Sequence, residues 1–286
     1  MMSSMDTTAY VASRTIGQAT VGAISDGSGL STIMQALLVP REEWRREVEA
    51  NDQDEIVLGY NVAHVRLGAA SILIDLGFDD PGPGSPWRAP RHRRSPGVVA
   101  GLAALGVAPE AITHVLITHA HGDHVAGGAI ERDGTWVPRY PNATYYIGRA
   151  DWEGNPAREE ATSLLAKNLG PVAAAGKLEM VDGERAIAPG VTMIAAPGES
   201  EGHCIVRVVS DGATFYFLGD LFHHPCEVPH RDWVSTGRDG AALIASRDAL
   251  LAAAPAADAL LMTTHMPFPG FGRIRETQEG PIWQGA

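Results

Sequence analysis

Cysteine is scarce in this chain of 286 residues, which holds only Cys204 and Cys226. Two thiols so far apart make neither a disulfide framework nor a close-spaced sulfur pair for a metal. Cys204, on a strand, is expected to be a buried thiol that packs as a small apolar group. Basic residues are also in short supply: 22 Lys and Arg face 34 Asp and Glu, for a net charge of −12. That balance argues against nucleic acid as the main partner, because phosphate binding leans on lysine and arginine. No apolar run is long enough to cross a bilayer, so no membrane partner is expected. The opening stretch, Met1 to Tyr10, lacks the basic start and apolar core of a secretory signal, and the expected location is the cytoplasm. No long linker divides the chain, and an apolar content of 45% is ample for one core, so a single domain over 1–286 is expected.

What is present is concentrated. Four metal-binding side chains lie within His119-Ala120-His121-Gly122-Asp123-His124, directly after the apolar run Val115-Leu116-Ile117-Thr118. That run is short and β-branched, so it reads as a buried strand with the histidines at its C-terminal edge. Gly122, Gly127 and Gly128 allow sharp turning, and Asp123 stands where a helix would begin. His119 and His121, two apart on extended backbone, point the same way and can grip one ion. Asp123 and His124 diverge from them, which suits a second ion. A lone histidine is more often a hydrogen-bonded core or surface imidazole; the cluster reverses that preference.

Four ligands do not complete two ions. Three further polar residues sit where buried strands emerge. His203 follows the glycine-punctuated loop Ala196-Pro197-Gly198-Glu199-Ser200-Glu201-Gly202, Asp220 ends Phe215-Tyr216-Phe217-Leu218-Gly219, and His265 ends Leu260-Leu261-Met262-Thr263-Thr264.

In this order of H-x-H-x-D-H, G-H, Asp and His, the chain resembles the metallo-β-lactamase superfamily over about residues 56–272. Within it, the chain is similar to the branch of methyl parathion hydrolase and its lactonase-like relatives. The residues that carry this are Pro197-Gly198-Glu199-Ser200 before Gly202-His203, Gly219-Asp220-Leu221-Phe222-His223-His224, and His265-Met266-Pro267-Phe268-Pro269-Gly270-Phe271-Gly272-Arg273. The resemblance implies a four-layer αββα sandwich with a dinuclear metal site at one edge of the sheets; periodicity alone gives only mixed α/β. It implies two zinc ions per chain, one on His119, His121 and His203, the other on Asp123, His124 and His265, with Asp220 bridging. Manganese, cobalt or iron suit the same donors.

The activity implied is hydrolysis by a metal-bridging hydroxide of a small-molecule substrate, an uncharged ester, lactone or phosphotriester. Asp123 would also relay a proton. His223 would protonate a departing alkoxide, or else only cap the turn before Pro225. Asp75, in Ile72-Leu73-Ile74-Asp75-Leu76-Gly77, resembles a strand-end carboxylate that steadies a ligand histidine, with a plain turn residue as the alternative. Leu221, Phe222, Met266, Phe268 and Phe271 are expected to form an apolar rim. Other readings of the fold are a β-lactamase, a glyoxalase-type thioesterase, an iron-dependent sulfur dioxygenase and a non-catalytic metal-binding scaffold, the last disfavoured because no ligand is missing.

The Pro- and Arg-rich stretch 79–97 is expected to border the cleft as a lid or wall, or to be a solvated surface loop. The N-terminal extension 1–55, with Trp44 in a charged segment, packs near the site or enters a homodimer contact in the resembling branch; an exposed amphipathic helix is the alternative. His64, His92, His114 and His230 have no comparable context and are expected in surface or packing roles. Strands are expected over 14–24, 56–67, 71–76, 114–118, 144–147, 191–195, 205–209, 215–218 and 260–264. Helices are expected over 41–50, 98–105, 123–130, 158–168 and 241–254.

Overall fold

The computed structural model describes residues 10–78 and 93–286. Short apolar runs build two sheets of seven strands each among the described residues. The first is formed by β1 (Val11–Ile16), β2 (Ala19–Ser31), β3 (Ile56–Leu67), β4 (Ala70–Ile74) and β5 (His114–Ile117). After a separate hairpin of β6 (Ala129–Arg132) and β7 (Thr135–Pro138), it continues with β8 (Thr144–Gly148) and β9 (Leu178–Val181). The second sheet pairs its strands in chain order: β10 (Glu184–Ala188), β11 (Val191–Ala195), β12 (Cys204–Ser210), β13 (Ala213–Phe217), β14 (Leu260–Met262), β15 (Phe271–Thr277) and β16 (Gly280–Gly285).

The central strands are buried on both faces, and successive side chains along each point to opposite layers. Ile72, Ile74 and Leu116 from the first sheet meet Val206, Val208, Phe215, Phe217 and Met262 from the second in one inter-sheet core. Their neighbours Leu73, Val115 and Ile117 face the opposite way, against a cluster containing Leu102, Leu165, Leu169 and Val172. Likewise Ile205, Tyr216 and Leu261 pack with Leu243 and Leu250. The helices that supply those outer residues are thereby placed. Of α1 (Arg41–Glu47), α2 (Val98–Ala104), α3 (Gly122–Val125), α4 (Arg149–Trp152), α5 (Leu164–Ala174) and α6 (Gly240–Ala256), α2 and α5 cover the first sheet and α6 the second. This is the four-layer αββα arrangement. Among the described residues, no helix is long and apolar enough to cross a membrane.

The sheet centres share a topology that positions the site. β3 runs antiparallel to β4 and β4 parallel to β5; β12 runs antiparallel to β13 and β13 parallel to β14. Parallel neighbours end at the same edge, where an open α/β sheet presents its site. Asp75 follows β4, Thr118 and His119 follow β5, Gly219 and Asp220 follow β13, and His265 follows β14.

Several expected elements are corrected. The strand over 14–24 is a hairpin, β1 and β2, because Gly17 at φ +57° reverses the chain. The helix over 123–130 is cut to α3, because the chain turns at Gly127 and Gly128 into β6 at Ala129; a Cβ on Gly127 would lie 2.3 Å from the Leu76 carbonyl oxygen, so only glycine lets the turn pack there. The helix over 158–168 is shifted, a 3-10 turn at Pro156–Glu159 followed by α5, whose start is capped by Ser163 accepting from the Ala166 amide at 3.0 Å. Helix α1 is charged as expected but not an exposed surface helix, since Trp44 is buried with Met34, Leu37, Val48, Cys226 and Trp233. The N-terminal segment also hydrogen-bonds residues 234–236, with Leu38 donating to the Val234 carbonyl and Thr236 to that of Ala36. The expectation of a lid over 79–97 lies mostly outside the described residues, as does His92.

Candidate metal centre

The first sheet delivers Asp75 and residues 118–124 to one point. Asp75 holds φ +62°, a conformation that Asp tolerates through local polar contacts. It turns its fully buried carboxylate back on β5, where Oδ1 accepts from the Thr118 amide at 2.7 Å and Oδ2 from the Thr118 hydroxyl at 2.9 Å. The same Oδ2 lies 2.7 Å from His124 Nδ1. Asp75 therefore steadies a ligand-type histidine and is more than a turn residue. Leu76 N donates to the His124 carbonyl at 3.1 Å, so the backbone of the motif is held as well as its ring.

Imidazole orientation follows from what each outer nitrogen meets. His203 Nδ1 lies 2.9 Å from the Ala196 carbonyl and His265 Nδ1 2.9 Å from that of Gly59, while His119 Nδ1 is 3.1 Å from the Thr118 hydroxyl. With the Nδ1 atoms so engaged, the Nε2 atoms point inward. His119 Nε2 is 2.7 Å from His121 Nδ1 and 3.5 Å from Asp220 Oδ2. His124 Nε2 lies 3.2 Å from Asp220 Oδ1, and His265 Nε2 lies 3.0 Å from Asp220 Oδ2 and 3.4 Å from Asp123 Oδ2. Asp220 thus stands between the two halves of the cluster.

Two groups of donors are compact enough to share an ion. Ligand atoms of His119, His121, Glu199 and Asp220 lie within 4.8 Å of one another, as do those of Asp123, His124 and His265. His203 is brought to the wall of the first group, its ring centroid 5.2 Å from that of His119, but its Nε2 accepts from the Asp220 amide at 3.2 Å. Glu199 joins that group by its ligand-atom distances, with His203 beside it. The donor set fits a divalent cation. His124 Nε2 and Asp220 Oδ1 face each other, sealed from solvent, yet neither makes a well-aligned hydrogen bond, as expected of atoms arranged for an ion rather than for one another.

Burial and charge divide the histidines. Burial holds His119 well below the ordinary imidazole range and lowers His121 and His203 too, leaving all three neutral and able to donate lone pairs. For His124 and His265 burial acts the same way, but the charges of Asp220 and Asp123 outweigh it and raise both. Asp220 is buried, which disfavours its charge; His265, His124 and His119 prevail and hold it well below the carboxylate range.

The turn after Asp220 distinguishes two adjacent histidines. His224 caps it, its ring accepting from the Cys226 amide at 3.2 Å while Glu227 accepts from the His224 amide. His223 instead enters the cluster, with Nε2 3.4 Å from Asp220 Oδ2 and its ring stacked on His265 at 5.2 Å and 9°. Burial opposes a proton on His223, yet the hydrogen bond and charge of Asp220, with Glu199 and Glu227, raise its pKa to about 9. Together with Asp220 and His265 it forms a third compact group.

Other contributors were not singled out in the sequence. Asp151, at the end of the first sheet, accepts from the Ala120 amide, the Ser200 hydroxyl and the Gly202 amide, each at 2.8 Å, and so ties the two ligand loops together. Glu199 pairs with Arg238 and stands 3.6 Å from His121 Nδ1. Tyr60 stands edge-on to His265 at 5.8 Å, and burial with the charges of Asp123 and Asp220 pushes its phenol up to about 12, keeping it protonated. The expected apolar rim is overturned: Leu221, Phe222 and Met266 belong to the core beneath α6 and Phe271 to the inter-sheet core, with Phe268 partly buried against it. The mouth is polar instead, with the His121 side chain 40% exposed and that of Arg238 25%.

Cys204 is buried as expected, its thiol pushed up to about 12 by burial. Elsewhere, His64 is buried 2.9 Å from the Ser71 hydroxyl, His114 is half-buried beside Thr113, and His230 stacks on Trp233 at 4.0 Å. All three have packing roles.

Known proteins place this arrangement. An N-acyl homoserine lactonase of Bacillus cereus is 26% identical over 115 residues, a match spanning 40% of this chain and 40% of that protein. Among solved structures, AidC, a dizinc quorum-quenching lactonase in complex with a product, superposes with a TM-score of 0.78 at 21% identity, covering 98% of this chain and 99% of its own. The hydrolase AbOPH of the beta lactamase superfamily gives a TM-score of 0.80 at 23% identity, covering 97% and 98%. At such identities the two structures establish a shared fold. The family model of the metallo-beta-lactamase superfamily matches residues 56–265, which take in every residue of the cluster, and the chain belongs to that superfamily.

Proposed function

We propose that this hydrolase of the metallo-beta-lactamase fold uses two divalent cations, zinc foremost, to cleave a small uncharged ester, lactone or phosphotriester. The observation that carries the reading is the convergence of buried imidazoles and carboxylates from four strand ends around Asp220. The lactonases among its relatives put a cyclic ester first.

In this reading His119, His121 and His203 hold one ion, Asp123, His124 and His265 hold the other, and Asp220 is shared. Bound there, the ions polarise a carbonyl or phosphoryl oxygen and bring the pKa of a water near neutrality. The chain's own residues do the rest. Asp220 and Asp123 offset part of the cationic charge, and Asp75 keeps His124 in the tautomer that presents Nε2 inward. Asp123, whose side chain is 16% exposed, accepts and passes on a proton at its carboxylate. His223 donates a proton to the leaving alkoxide from Nε2, its only ring nitrogen beside the cluster carboxylate Asp220. Tyr60 and Phe78, with ring centroids 6.0 Å apart, form a wall for the apolar part of the substrate. Residues 1–286 act as one domain, with the segment before residue 56 packed beside the turn that carries His223.

Elemental analysis of the purified chain, combined with turnover of aryl ester, γ-lactone, phosphotriester and cephalosporin probes, tests this. Two ions per chain with turnover of at least one of the first three supports it. Fewer than about one ion per chain after zinc supplementation, with no turnover of any probe, overturns it in favour of a non-catalytic scaffold.

A further inference from the structure

We infer that Asn61 is a positioning residue for His265 and thereby sets the affinity of the second ion, the one assigned to Asp123, His124 and His265. The inference rests on the two-ion reading above. Asn61 lies within β3 of the first sheet, fully buried, whereas His265 follows β14 of the second. Its side-chain amide donates to the carbonyls of Met266 at 2.7 Å, Thr264 at 3.0 Å and Thr263 at 3.5 Å, and its backbone amide donates to Thr264 at 2.9 Å. Two residues earlier, Gly59 donates its amide to the His265 carbonyl at 2.9 Å and accepts from His265 Nδ1 at 2.9 Å. A stretch of the opposite sheet thus holds the ligand's ring, its own carbonyl and the carbonyls on either side of it.

The packing leaves this clamp no slack. A Cβ on Gly59 would lie 2.5 Å from the Met266 carbonyl oxygen, and one on Gly270 2.8 Å from that of Thr263 and 3.0 Å from Asn61 Nδ2. The chain leaves β14 with carbonyls turned into a closed interior, where an unmet acceptor is costly. An apolar residue at 61 would remove the Met266 carbonyl's side-chain donor. Oδ1 of the same amide makes no hydrogen bond, so the side chain engages its surroundings through its donors. Turning the amide over would set Oδ1 against three carbonyls, which fixes its orientation.

The effect is selective by geometry. His265 Nε2 is 3.4 Å from Asp123 Oδ2 and 3.0 Å from Asp220 Oδ2, so a small shift of the loop removes one donor from the second group. His119 and His121 come from the end of β5 and make no hydrogen bond with Asn61, so the first ion keeps its histidines.

The test uses the full chain as Asn61→Asp, which keeps shape but replaces the donors with acceptors, and Gly59→Ala, which keeps the amide but presses on both the Met266 carbonyl oxygen and Asn61 Nδ2 and so strains the bond between them. Zinc stoichiometry is measured by elemental analysis across a series of buffered free zinc concentrations, and cobalt spectra report the geometry of each site. In both variants the ion assigned to Asp123, His124 and His265, identified by its cobalt spectrum, is expected to bind about 10–100-fold less tightly, the loss typical of groups that support a ligand, with the other ion unchanged. Should Asn61→Asp fail to fold, Gly59→Ala carries the test. Folded variants that hold both ions at wild-type affinity overturn the inference, as does equal weakening of both. A wild-type chain that takes up fewer than two ions fells the two-ion reading first and this inference with it.

Discussion

Asp75 Oδ2 lies 2.7 Å from Nδ1 of His124, and both side chains are fully buried. The carboxylate can hold this ring in one tautomer only because its other oxygen is already committed to the Thr118 amide. Asp75→Asn is the sharpest test, since Asn tolerates the φ of +62° that Ala does not, and so separates charge from backbone strain. Its amide would present N–H groups toward a ring nitrogen that must itself donate. Affinity for the ion proposed on Asp123, His124 and His265 should fall about 10–100-fold in calorimetric titration. Wild-type affinity in the variant would reduce Asp75 to a turn residue.

The turn that carries His223 depends on a buried ion pair at a distance in sequence. Glu227 and Arg247 meet at 2.8 Å with side chains 3% and 1% exposed. Glu227 accepts from the His223 and His224 amides, while Arg247 donates to the carbonyls of Leu221 at 2.9 Å and Trp233 at 2.7 Å. Arg247→Met should therefore cost about 3–5 kcal/mol in urea unfolding, because it leaves a buried carboxylate unpaired. Adding Glu227→Gln should recover part of that loss. A cost for the single variant below about 1 kcal/mol would show that the pair is dispensable.

How much of this was legible in the sequence depended on the range of the interaction. The motif from His119 to His124 declared itself because four ligands follow one β-branched strand, and the nearly continuous apolar runs of β13 and β14 marked where Asp220 and His265 emerge. Asn61, Asp151 and Glu199 stayed hidden because their roles come from partners far along the chain: Asn61 acts on residues 263–266 and Asp151 on residues 120 and 200–202. A polar residue within a buried strand, as at Asn61, was the available signal. Leu221 and Phe222 were misplaced at the rim because apolar character does not say whether a residue beyond a strand end turns toward the mouth or under a helix. The hairpin at Gly17 was missed because one glycine between apolar runs does not reveal its φ.

His64 offers a stability test away from the cluster. Burial, with Arg66 nearby, holds its pKa down to about 4, against an ordinary value of 6.5. The unfolded chain binds this proton more readily than the folded one, so the stability tied to a neutral His64 is present above about pH 6.5 and is lost as pH falls toward 4. Between pH 7 and pH 5 this amounts to about 2 kcal/mol. His64→Gln should accordingly shrink the loss of unfolding free energy over that interval, measured with chelator present so that ion release does not contribute. An unchanged pH dependence would place the titrating group elsewhere.

His223 and His224 make the last separation, because adjacent identical side chains have different duties. His224 is spent on its turn, whereas His223 stacks on His265 and reaches Asp220. A proton donor matters in proportion to the basicity of the leaving group. His223→Phe should lower kcat for a γ-lactone or alkyl ester by about 100-fold or more, yet change little for an aryl ester whose phenolate departs unaided. Phenylalanine keeps the stacking surface against His265, so a fall in kcat confined to alkoxide leaving groups, with ion content unchanged, reports the proton and not the packing. His224→Phe should instead lower stability by about 1 kcal/mol through loss of the cap and leave the dependence on leaving group intact. Equal losses on alkyl and aryl esters in His223→Phe would remove His223 from the chemistry and return it to the wall of the site.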